Sequence, residues 1–217
     1  MAQVRNILVG AANLFISVAE NDQPALPAFV AGERFSDTLA ATPADWRDVG
    51  LTNAGFSVAY TPTYTSVTVD QLKDAALMFS SELTIEASTE LAEATLQNLQ
   101  VVWGQPNSTR TAPTGDINAD DTVETLDIAA GELGDYPVER SLVAVGNAPR
   151  VDPTTVVAPA TVNKRERIYF ARRVISVSAS THALTRTAGT FFPVTFRLLP
   201  DPAFAGAEYG QVIDRTL

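Results

Sequence analysis

From Gly55 the chain alternates apolar and polar positions. Phe56, Val58 and Tyr60 fall on one face of a predicted strand, and Ser57, Ala59 and Thr61 on the other. Pro62 interrupts the alternation because it has no N–H to give to a ladder. The apolar phase returns shifted, at Thr63, Thr65, Val67 and Val69. A phase change around a proline marks a hairpin tip or a β-bulge, so strands are expected at 55–60 and 67–70. Their Thr- and Tyr-rich composition suits at least one exposed face. Residues 72–79 fit helix or strand equally, and Glu82 to Ala87 reads as strand. The period then changes. Leu91, Thr95, Leu96, Leu99, Val102 and Trp103 share one side at helical spacing, which predicts an amphipathic helix at about 89–103. Ser88 or Thr89 suits its N-cap, Glu90 and Glu93 its positive end, and Gly104 its C′ stop.

The flanking segments are mostly strand. Ile7 to Val9 and Leu14 to Ala19 read as strands, while 20–49 reads as irregular, with a turn or short helical piece after Thr42. Trp46 is expected to anchor this region against a sheet, with a partner for its indole N–H. Residues 105–137 form an irregular acidic insertion, 138–146 a strand, and 149–160 a Pro-rich connector. Arg167 to Ser176 carries apolar residues on both faces, which implies a central strand or a subunit contact. Phe191 to Leu199 and Tyr209 to Asp214 complete the pattern. The expected fold is mainly β: a β-sandwich or half-barrel with one flanking helix, spanning 1–217 as a single domain with a loop-rich insertion.

Composition narrows the functional classes. There is no cysteine, which excludes disulfides and thiolate chemistry. No apolar run approaches the roughly 18 residues of a membrane helix, so no membrane insertion is expected. The N-terminal apolar core is short, so no signal peptide is expected. Net charge is −10, with 12 acidic and 4 basic side chains in residues 1–109 against 13 and 11 in 110–217. Duplex-DNA binders cluster Lys and Arg to neutralise phosphates, and this balance is the reverse. An acidic surface repels a polyanion, which hinders gripping DNA and helps it slide; acidity also serves solubility alone.

Candidate chemistry is sparse. Asp116, Asn118, Asp120, Thr122, Glu124 and Asp127 occupy positions one, three, five, seven, nine and twelve of a calcium-loop spacing. Asp121 stands where such loops place glycine, and the alternative is an acidic solvated loop. No cofactor is required by the sequence; Ca²⁺ is the one candidate. His182 is the sole histidine and lacks a nucleophile signature, so no enzyme is expected. Arg172 and Arg173, with the run Lys164-Arg165-Glu166-Arg167, form the one basic focus, expected to face acidic partners on a neighbouring subunit.

Several segments in order resemble the major tail tube protein of long, non-contractile phage tails. These are Trp46-Arg47-Asp48-Val49-Gly50, Glu93-Ala94-Thr95-Leu96-Gln97-Asn98-Leu99, Pro193-Val194-Thr195-Phe196-Arg197-Leu198-Leu199-Pro200-Asp201 and Glu208-Tyr209-Gly210-Gln211-Val212-Ile213-Asp214. The resemblance touches roughly 46–104 and 165–214 and leaves 105–160 uncovered. It implies a virion protein, assembled in the host cytoplasm as hexameric rings stacked into a tube, whose electronegative bore passes double-stranded DNA without binding it specifically. It implies as partners other copies of the chain, a tape-measure protein, a tail terminator and distal tail or baseplate proteins. Phe56, Val58, Tyr60, Val67, Val69, Arg172 and Arg173 are the expected assembly residues. A reading of a different class is a calcium-stabilised β-sandwich binding or adhesion module.

Overall fold

Strands dominate where the period-two segments lie. A computed structural model describes residues 11–68, 70, 74, 76–111, 123–148, 165–182 and 189–217. The chain is mainly β, 46% strand and 9% helical. In order come β1 (Asn13–Ser17), α1 (Phe35–Ala40), β2 (Trp46–Asp48), β3 (Thr52–Val67), β4 (Leu77–Leu91), α2 (Leu96–Val102), β5 (Arg110–Thr111) and β6 (Thr125–Leu126). Then follow β7 (Arg140–Asn147), β8 (Arg165–Ser176), β9 (Phe192–Leu199) and β10 (Gly210–Thr216). An antiparallel sheet runs β2-β1-β7-β8-β9-β4-β3, with β10 added to β8; β5 and β6 make a separate ribbon.

The sheet divides along β8. One margin of β8 carries β7. Its other margin is shared: β10 pairs from Arg165 to Ala171, and β9 takes over from Arg173 to Ser176. β9 then carries β4 and β3 away from β10, giving the two leaves of a sandwich-like half-barrel with α2 at its flank. Between the leaves lies the main core. Leu14 and Ile16 of β1, Leu142 of β7, Leu91 of β4 and Phe196 of β9 meet Val101 of α2 there. The opposite face of β1, β7 and β8 is also buried, because Phe15, Val143 and Ile168 pack under Phe35 and Leu39 of α1 and under Trp46. β8 is therefore a central strand, one of the two readings its two apolar faces allow.

Three expectations change. The helix is shorter than 89–103, since Thr89, Glu90 and Leu91 belong to β4 opposite Val194, Pro193 and Phe192. Thr95, not Ser88 or Thr89, is the N-cap, its hydroxyl accepting the Asn98 N–H at 3.2 Å. Glu90 and Glu93 instead accept from the Asn53 amide and the Leu51 N–H. The C-terminal end stands as expected, at Gly104 with φ 62°. Secondly, β3 is one 16-residue strand, with Pro62 inside the ladder opposite Leu83. The phase change is a bulge rather than a tip: register slips between Thr63 and Tyr64, leaving Ser81 as the extra residue on β4. Thirdly, the irregular 20–49 stretch contains α1, whose first N–H is accepted by the buried Glu166 carboxylate at 3.0 Å. Residues 77–79 are strand. The predicted strand at Ile7 to Val9 lies outside the described residues. Trp46 is the anchor expected, 2% exposed and edge-on to Phe170, yet its indole N–H has no partner among the described residues. Such an orphan costs about 1–3 kcal/mol, which burial of the ring offsets.

Candidate functional site

The hairpin β3–β4 is the most exposed regular element described. β9 supports β4 only from Glu86 to Leu91. The stretch Leu77–Ile85 and its partners on β3 therefore form a two-stranded ribbon with no third strand among the described residues. Nine residues of strand at about 3.4 Å each reach roughly 30 Å. Isolated two-stranded ribbons are marginal in water. This one also exposes apolar side chains: Tyr60 is 65% exposed, Tyr64 58%, Met78 62%, and Val67 and Leu77 are exposed too.

β3 is also a free sheet edge, with β4 its one strand partner among the described residues. Native edges are usually blunted by charge, short length or proline. β3 has 16 residues and no charged side chain, and Pro62 and the register slips beside Thr52 and Thr63 are what interrupt it. By contrast β2, at the other margin, has three residues, two of them charged. The outer margin of β10 carries Asp214 and Arg215.

Where β9 and β10 part, the leaves enclose an apolar groove of about 220 Å³. Phe56, Val58, Tyr60 and Ile85 wall it from the hairpin, Tyr169 and Val212 from β8 and β10. Phe56 and Tyr169 meet with ring centroids 6.0 Å apart. The structure thus gathers Phe56, Val58 and Tyr60 on one face, as alternation predicts. Val67 lies near the far end of β3, exposed, and Val69 lies outside the described residues.

Arg172 and Arg173 sit at the division of the sheet and have partners within the chain. The Arg172 guanidinium stacks on Phe204 at 3.5 Å, and its Nε donates to the Ala207 carbonyl. Arg173 donates to both Glu139 carboxylate oxygens at 2.6 Å and to the Pro200 carbonyl. The Glu139 contact holds the Arg173 guanidinium above its ordinary range. These contacts fix the 200–209 turn that lets β10 re-enter beside β8. Arg167 on β8 makes a similar fork to Asp214 on β10, which lowers the Asp214 carboxyl below its ordinary value.

Asp116, Asn118, Asp120 and Thr122 of the calcium-loop spacing lie outside the described residues. Glu124 is paired with Arg110 at 2.5 Å, and the Asp127 N–H donates to the Thr109 carbonyl. His182 packs between Trp103 and Phe192, with centroid distances of 6.0 and 5.0 Å, and its Nδ1 has no partner among the described residues. No described helix is long and apolar enough to cross a membrane.

Sequence reasoning missed Asn98. It is buried, donates to the Val49 and Glu93 carbonyls and accepts from Arg47 at 2.7 Å, tying α2 to β2. A polar residue on the inner side of a predicted amphipathic helix was the available signal. Neither a protein-family model nor a curated protein matches the chain.

Proposed function

We propose that this chain is a structural subunit that polymerises into a tube: a phage tail tube protein, stacking as six-fold rings around a DNA passage. One observation carries the reading. An uncharged 16-residue edge strand belongs to a ribbon that projects roughly 30 Å beyond its last third-strand neighbour and bears exposed aromatic residues. Left alone such an edge is a template for uncontrolled pairing. A second copy that covers it removes both the free backbone groups and the apolar surface. The six-fold ring, the tape-measure, terminator and distal-tail partners, and the virion location come from the sequence resemblance. The net charge of −10 supports a bore that passes DNA without gripping it.

Negative-stain electron microscopy of concentrated pure protein tests the reading, with rings or tubes expected. Particles that stay discrete at every concentration favour the binding-module alternative and overturn the tube.

A further inference from the structure

A second feature is the cavity between β2, α2 and the start of β7. Its volume is about 620 Å³, within the size range of small-molecule sites. Arg47, Arg110 and Arg140 all line it, in a chain that is acidic overall. Two of the three are committed. Arg140 is buried, donating to the Ser17 and Val18 carbonyls, to Glu20 and to Asn107. Arg110 is paired with Glu124 and, in the favoured amide orientation, donates to Gln97 as well.

Arg47 differs. It donates to Asn98 Oδ1 at 2.7 Å and, more weakly, to the Gln97 carbonyl at 3.4 Å. A guanidinium has five N–H donors, and Arg47 has no ion-pair partner among the described residues. The neighbouring Asp48 also lines the cavity, but its carboxylate accepts the Gly50 N–H at 2.8 Å. Burial first, then Arg140 and Arg110, draw the Arg47 guanidinium down to about 10, and Asp48 opposes them less. Glu20, Glu124 and Asp48 offset the three arginines in formal charge, so what distinguishes the cavity is the open donor edge of Arg47 rather than a net positive field. Pro43 and Val101 add apolar wall beside the arginines.

The geometry points to an anion site: the cavity takes a carboxylate or phosphate group carried on an organic body, with the free edge of the Arg47 fork as its principal donor. Two sources supply that chemistry, a soluble small molecule or an Asp or Glu side chain of a second copy. Only the second source rests on the polymer reading.

Calorimetry of dilute protein with citrate and with phenyl phosphate is the first arm. Saturable binding is expected, weakened roughly tenfold to a hundredfold in Arg47→Gln, the loss of a charge-assisted hydrogen bond. Arg47→Lys keeps the charge but not the planar fork, and is expected to weaken binding as well. Melting curves establish that each variant is folded, and Arg47→Lys decides the matter if Arg47→Gln is not. The second arm follows assembly with and without citrate. Inhibition in the wild type that Arg47→Lys abolishes assigns the carboxylate to a neighbouring copy. Binding without any effect on assembly assigns it to a soluble ligand. Equal binding by wild type and folded variants overturns the site, and so does the absence of both saturable binding and inhibition. If the protein never assembles, the first arm still decides the site while the tube reading fails separately.

Discussion

Replacing Val58 with aspartate separates assembly from folding. Val58 lies on β3 opposite Ala87, on the apolar groove, and is 44% exposed in the single chain. An aspartate there keeps access to water before assembly. The folding cost is thus expected near the surface-substitution range, about 1 kcal/mol or less, a fall in Tm of roughly 2–4 °C. Once a second copy covers the groove and edge, the same carboxylate is desolvated without a partner. Even after relaxation that costs several kcal/mol per ion. Taking about 3 kcal/mol, each contact weakens roughly a hundredfold. Because every subunit in a polymer makes the contact, the critical concentration rises by a similar factor. Sedimentation velocity across a concentration series measures it, beside thermal melting of the dilute protein. Two results refute the reasoning. Tubes forming at the wild-type concentration would show that this face is not covered. A melting loss as large as the assembly loss would show that Val58 belongs to the fold rather than the contact.

Other expectations follow from single contacts. Gly210 has φ 140°, and a Cβ there would meet the Phe170 carbonyl oxygen at 1.9 Å, so Gly210→Ala is expected to destabilise by roughly 3 kcal/mol or more and detach β10, read by urea denaturation. The Arg167 fork lowers the folded-state Asp214 carboxyl. Its stabilisation is therefore complete above the unfolded carboxylate value of about 4 and is lost as pH falls through the lower folded value. Asp214→Asn should flatten the acid limb of the stability curve below about pH 4, and an unchanged limb would count against the fork. With Glu124 engaged by Arg110, millimolar calcium is expected to leave Tm unchanged; a calcium-dependent rise would support the spacing at 116–127 as a binding loop.

Much of the fold was legible because local period reports local structure. Apolar runs bounded by turn residues placed β1, β7, β8, β9 and β10 within a few residues, and the two apolar faces of β8 announced a central strand or a subunit contact, of which the structure shows the first. The C-terminal end of α2 was legible through Gly104, a residue free to adopt positive φ. Its start was not, because Leu91 fits a helical stripe and a buried strand position alike, and the β9 ladder decided between them. α1 was missed because six residues are too few for a periodic signal; Phe35 and Leu39, four apart, were its only trace.

The sequence by itself determined the strand-rich class, the uncharged character of β3 and the acidic balance, since these reside in residue type and near-neighbour order. Only the tertiary structure decided that β10 and β9 share one margin of β8, which opens the groove and leaves the hairpin unsupported. It also decided that Arg47, Arg110 and Arg140, far apart along the chain, line one cavity. Strand neighbours and cavity walls are set by long-range closure of the sheet, where the energies of alternative pairings differ through packing rather than through any local preference.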